Sequence, residues 1–217
     1  MKKFIPYILI GIAVVAGFIL KGHMVLTDNS RVEAGSSDKK IINQFDSLLI
    51  YPKKNLLSNF SLKDQNNNVF NNDSFKNKWN IIFSGYTNCP DVCPNTLNKM
   101  TQLYQLMDQT TRSNFQFIFL SVDPERDTAD HIKQYLDYFH KDFVGITGEL
   151  SQIDILIKDL GGIYSLNKEE GEYYTVDHSA RIFIVDPTAS RYGIFESSAL
   201  KSKDKSQLVK DLIGMTK

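Results

Sequence analysis

Two cysteines in 217 residues are too few for a disulfide framework, so whatever Cys89 and Cys93 do, they do as one pair. Neither sign of charge is in excess. Lys plus Arg and Asp plus Glu number 25 each, and no basic run is interleaved with aromatics, which excludes the electrostatic footprint of a nucleic-acid binder. No internal repeat appears, and the clusters Asn66-Asn67-Asn68 and Asn71-Asn72-Asp73 are turn material rather than a low-complexity domain. Long hydrophobic runs are missing except for one at the start. What is present is ordinary globular composition, 42% hydrophobic and 23% charged, enough to bury a core of one domain with extensions.

The one long run, Phe4 to Leu20, is uncharged and lies between Lys2-Lys3 and Lys21. At about 1.5 Å per residue it makes roughly 25 Å of helix, near the lower limit for a membrane span. Val14-Val15-Ala16 offers a signal-peptide cleavage site as the competing reading. Apolar residues continue past it through Leu20, and Lys21 can snorkel, so residues 1–21 are expected to be an uncleaved anchor. The lysines at the start place it, by the positive-inside rule, as a single pass with all that follows outside the cytoplasm. In a bacterium that means the inner membrane with a soluble domain in the periplasm, where disulfides are permitted.

Residues 22–53, polar and without period, are expected to be a tether, and 54–217 a single domain. Short apolar pieces between Lys54 and Lys78, broken by the Asn clusters, predict a β-hairpin. Alternation follows: a strand at Trp79 to Tyr86, a helix from Pro94 to about Gln109, and a near-continuous apolar strand at Phe115 to Val122. A helix capped by Asp127 runs to about His140, a strand spans Val144 to Thr147, and a helix from Glu149 to Leu160 is stopped by Gly161-Gly162. Strands at Arg181 to Val185 and Tyr192 to Phe195 can pair, and a helix at Lys205 to Ile213 ends the domain. The pattern predicts an α/β, thioredoxin-like three-layer sandwich, with Phe117, Phe119, Leu120, Met100 and Met107 in its core.

The cysteines sit in Tyr86-Thr87-Asn88-Cys89-Pro90-Asp91-Val92-Cys93-Pro94, at the C-terminal end of the first buried strand, where open α/β sheets place their sites. Proline after each cysteine biases it away from the helical basin, and Pro94 suits the first helical position. Cys93 is therefore expected at the helix N-cap, where unpaired amides favour thiolate. Two sulfurs four positions apart can bind a thiophilic metal, close to a disulfide, or fill space. Among the histidines, His23 lies in the tether, and His131 and His140 in a charged helical stretch, where they read as solvated imidazoles. His178, just before the apolar strand Ile182 to Val185, is placed equally well for a buried, hydrogen-bonded role or a ligand's.

Beside the cysteine motif stand Ser121-Val122-Asp123-Pro124-Glu125-Arg126-Asp127-Thr128, Gly145-Ile146-Thr147-Gly148, and Asp177-His178-Ser179-Ala180 with Ile184-Val185-Asp186-Pro187. Taken in this order over residues 54 to 214, these motifs resemble the SCO/SenC family of membrane-anchored, thioredoxin-fold copper proteins. Ala129, where that family often has proline, is a departure that bears only on a helix start. The resemblance implies that Cys89, Cys93 and His178 ligate copper. Two thiolates suit Cu(I), and an imidazole also suits Cu(II). Zinc fits less well, since a closed structural zinc site wants four ligands. Asp91 reads as a turn residue, Asp177 as a surface carboxylate or an orienting partner, and Asp123 to Asp127 as a strand-to-helix loop that could dock a partner. The implied function is a metallochaperone delivering copper to the binuclear centre of cytochrome c oxidase subunit II, supplied by an upstream copper donor or kept reduced by a thiol reductant. The alternative is a thiol–disulfide oxidoreductase in which Cys89 and Cys93 reduce the cysteines of that centre.

Overall fold

The computed structural model describes residues 45–168, 174–179, 181–201 and 205–216. The expected anchor and most of the expected tether lie outside the described residues, and among those described no helix is long and apolar enough to cross a membrane.

Among the described residues ten strands and five α-helices follow one another as β1 (Leu49–Leu56), β2 (Ser61–Asp64), β3 (Val69–Asn71), β4 (Trp79–Gly85), α1 (Val92–Leu106), α2 (Gln109–Ser113), β5 (Phe115–Ser121), α3 (Ala129–Asp137), β6 (Val144–Thr147), α4 (Leu150–Leu160), β7 (Tyr164–Asn167), β8 (Thr175–His178), β9 (Arg181–Val185), β10 (Ser190–Glu196) and α5 (Ser206–Gly214). Eight strands form one sheet in the order β1-β10-β9-β4-β5-β6-β2-β3, and β7 pairs β8 in a separate ribbon. The centre, β4-β5-β6, is parallel, while β9 and β10 join antiparallel.

Both faces of the central strands are covered, as the near-continuous apolar run of β5 requires. Ile81, Ile82 and Phe83 are each fully buried although successive side chains point to opposite faces. Phe83 lies beside Phe119 across β4 and β5, and Tyr104 of α1 and Tyr135 of α3 pack on that face against Phe117 and Phe119. Ile82 lies beside Phe183 of β9 on the other face, where a side chain at Gly162 would meet both Phe183 and Ile157 of α4. This is a mixed α/β, sheet-dominated fold of the thioredoxin-like kind. The core residues Met100, Met107, Phe117, Phe119 and Leu120 are buried as read from the sequence.

Several boundaries move, each for a local reason. β1 begins at Leu49 within the stretch assigned to the tether, because Phe45 and Leu48 are buried and β1 pairs with β10 at the sheet edge. The chain expected to be one helix to Gln109 breaks after Leu106, and Asp108 restarts it as α2 by accepting from the Thr111 N–H. α1 begins at Val92, two residues before Pro94, so Pro94 occupies the first turn but not its first position. The cap of α3 is Thr128, whose side chain accepts from the His131 N–H, and not Asp127. Gly161, at φ 78°, ends α4 in the left-handed region that glycine adopts freely.

Candidate metal centre

The cysteine turn leaves the C-terminal end of β4, and α1 starts inside it. Asp91 holds the N-cap position without a side-chain cap; its carboxylate accepts instead from the Asn95 amide. The open Cys93 N–H of the first turn donates to the Cys89 sulfur at 3.4 Å. Cys89 thus takes the acceptor's place that a capping oxygen would fill, while Cys93 sits in the first helical turn rather than at the cap.

Both cysteines are free thiols, Cys89 half-buried and Cys93 fully buried. Cys93 fits under the end of β4 only because residue 85 is glycine: a Cβ there would stand 2.8 Å from Cys93 Sγ and 3.1 Å from the Phe119 ring. Burial pushes the Cys93 thiol well above its ordinary value. The thiolate expected at Cys93 is therefore not the form of the metal-free protein.

β8 carries the third group to the same place. His178 Nε2 lies 3.5 Å from Cys93 Sγ, and Nδ1 lies 3.2 Å from the Ser179 carbonyl. With the Nδ1 hydrogen directed to that carbonyl, the Nε2 lone pair faces the sulfur, the arrangement in which metal-binding imidazoles are held. Burial first, opposed by the Ser179 contact and by Asp177, lowers the His178 pKa and keeps the ring neutral. Its edges meet Phe83 at 5.8 Å and Tyr86 at 6.4 Å between ring centroids. The loop-to-strand junction read at His178 is thus the end of a short strand, and the buried role and proximity to the thiols coincide.

Beside His178 opens a depression of about 410 Å³, which Cys89, Pro90, Val92, Val176 and their neighbours also line. Among the described residues no three His, Cys, Asp or Glu side chains are already drawn around one point. The thiols and imidazole meet pairwise, Cys93 contacting both of the others. Two thiols and a neutral imidazole nonetheless form a donor set suited to a soft ion, and the open side leaves room for an exchanging ligand.

Other residues singled out from the sequence lie elsewhere. His131 Nδ1 contacts the Arg126 carbonyl, and His140, partly exposed, also packs on Tyr104 at 4.5 Å and Phe143 at 5.5 Å. Asp177 accepts from the Asn167 amide across the β7-β8 ribbon, which favours its reading as a surface carboxylate.

Asp127 is the residue whose role the sequence hid. It is fully buried and accepts from the Thr87 N–H at 3.0 Å, the Thr87 hydroxyl at 2.5 Å and the Ser121 hydroxyl at 2.6 Å. The β5-α3 loop thereby pins the cysteine turn from beneath, and burial, working against these hydrogen bonds, leaves the Asp127 pKa raised. Beside it Asp123, buried, is gripped by Arg126 and by the Tyr174 hydroxyl, and Arg126 also donates to the Tyr174 carbonyl at 2.9 Å. The four-residue spacing from Asp123 to Asp127 is the only hint the sequence offers of this platform.

Comparison with known proteins places this geometry among relatives. The family model described as SCO1/SenC matches residues 50–215. A protein of Stutzerimonas stutzeri named for copper binding is 34% identical over 156 residues, covering 72% of this chain and 76% of that one. A SCO2-like protein of Rickettsia conorii is 35% identical over 129 residues, 58% of this chain and 62% of the relative's length. The copper-bound structure of ScoI from Bradyrhizobium japonicum superposes with a TM-score of 0.65 at 33% identity, over 73% of this chain and 98% of that one.

Proposed function

The chain belongs to the SCO1/SenC family, whose metal is copper, and on that premise we propose that it is a metallochaperone that delivers copper to the binuclear centre of cytochrome c oxidase subunit II. The observation that carries this reading is the approach of His178 Nε2 to Cys93 Sγ at 3.5 Å beside a second free thiol four residues away. In this reading Cys89, Cys93 and His178 are the ligands. The thiolates match Cu(I), the imidazole lets the site also hold Cu(II), and three ligands leave a coordination position for the recipient. Cys89, half-buried on the depression, is the ligand an incoming thiolate reaches first. Asp127 keeps the turn in register while ligands exchange above it.

The test is transfer between purified partners. Excess Cu(I)-loaded protein mixed with the reduced, copper-free soluble domain of subunit II should lose copper to it, and oxidation of the product in air should then develop the absorption of the binuclear centre. Full retention under reducing conditions would refute delivery to this recipient.

A second reading rests on the unequal burial of the pair. A half-buried Cys89 can attack a partner disulfide, and buried Cys93 can then displace the partner from the mixed disulfide, giving two electrons to the partner and leaving Cys89–Cys93 oxidised.

The membrane placement belongs to the same proposal and rests on the uncharged run Phe4 to Leu20 between lysines. Fractionation should leave the full-length protein in the inner membrane, resistant to carbonate and salt, with protease reaching it only from the periplasmic side. A mature N-terminus at Gly17 would remove the anchor.

A further inference from the structure

The β5-α3 loop reaches both halves of the candidate centre. Its Asp127 holds the cysteine turn through Thr87, while its Asp123, Glu125 and Arg126 hold the β7-β8 ribbon that carries His178. One of these ties is superficial. Lys168, just past β7, donates to the Glu125 carboxylate at 2.6 Å, but both side chains are exposed, so the pair contributes little. The other tie is buried. Tyr174, the residue before β8, donates its hydroxyl to Asp123, and its carbonyl accepts from the Arg126 guanidinium at 2.9 Å.

Arg126 is the centre of the buried tie. Its guanidinium also donates to Asp123 and lies 3.6 Å from the Tyr174 ring centre, so one planar fork grips a carboxylate of the loop and a carbonyl of the ribbon at once. Asp123 is itself fixed, its N–H donating to the Ser121 hydroxyl. β8 is then held on both sides, by Tyr174 before it and after it by Ser179, whose N–H donates to the Ile163 carbonyl at 3.0 Å. Val176 is buried between them, and His178, four residues from Tyr174, is fixed in register.

We infer that Arg126 is a positioning residue for His178: it clamps Tyr174 to the loop that also seats the cysteine turn, and so sets where the imidazole meets the thiols. This rests on the copper-ligand reading above. The clamp acts on the imidazole side of the centre alone, because the cysteine turn is held separately, through Asp127 and Thr87. Loosening it should therefore weaken Cu(II), which needs the imidazole, more than Cu(I), which two thiolates suit.

Two variants of the full-length protein each break one link. Arg126→Lys keeps a cation beside Asp123 but loses the fork, and Tyr174→Phe removes the hydroxyl while keeping the ring, so neither strands the buried carboxylate and both should fold. In each, Cu(II) affinity should fall about 2- to 10-fold, the factor that one lost hydrogen bond supplies, and Cu(I) affinity should fall less. In copper-free protein labelled at histidine, the His178 ring resonance, set by its place between Phe83 and Tyr86, should shift in both variants. A loss of stability alone moves neither reading, because a chain that stays overwhelmingly folded presents the same site. Unchanged Cu(II) affinity and an unmoved resonance would overturn the inference, as would equal losses for Cu(I) and Cu(II) or variants that fail to fold. A wild-type protein that binds no copper would sink the ligand reading instead, and the resonance would still decide whether the clamp places the ring.

Discussion

Replacing either Cys89 or Cys93 with serine is expected to take copper binding from about one ion per chain to near none. The hydroxyl that replaces sulfur is a hard, protonated donor at neutral pH and cannot stand in for a thiolate toward Cu(I). The two substitutions should differ in what else they do. Cys89 is half-buried and its sulfur accepts the Cys93 N–H, so a serine oxygen can take over that bond as an ordinary cap, and stability should change little. Cys93 is fully buried against the end of β4 and the Phe119 side chain, so serine puts a hydroxyl in an apolar niche and should cost about 1–3 kcal/mol. Equilibrium dialysis against copper, together with urea unfolding of each variant, separates the two effects. Full stoichiometry in both variants would place the metal elsewhere.

The second large effect is expected at His178. Truncation to alanine removes the imidazole that reaches Cys93, and copper affinity should drop by at least roughly 100-fold, the upper range for losing even an outer partner of a ligand. Cu(II) should suffer more than Cu(I), because two thiolates alone still suit the softer ion. The ring also fills the space between Phe83 and Tyr86, so a stability loss of about 1–3 kcal/mol accompanies the change without unfolding a domain of ordinary stability. The Cys89–Cys93 pair should still oxidise and reduce. In cells under limiting copper, the variant should fail to support oxidase assembly if delivery is the function. Wild-type oxidase activity would instead hand the function to thiol exchange, which needs no third ligand.

Much of this was legible in the sequence because the deciding signals are local. A near-continuous apolar run marked β5, the glycine pair closed α4, and proline after each cysteine marked a constrained turn. Two kinds of feature were not. The β7-β8 ribbon that carries His178 has short strands with little apolar content, so its pairing of Tyr164 with His178 is set by tertiary context. The other kind is direction. Asp127 precedes a helix and reads as its cap, yet Thr128 caps while Asp127 turns inward to Thr87, 40 residues away in the chain. Likewise the sequence expects a thiolate at Cys93 from the helix end, whereas burial of the same residue raises its thiol pKa, and spacing alone does not reveal that burial.

The most direct test of the central claim is copper titration of the reduced full-length protein, with stoichiometry and the sulfur-to-Cu(II) charge-transfer spectrum read on the same samples. The expected result is about one copper per chain, with an intense thiolate band that is lost in Cys89→Ser and Cys93→Ser and altered in His178→Ala. No tight copper, or a copper complex whose spectrum is indifferent to all three substitutions, would contradict it.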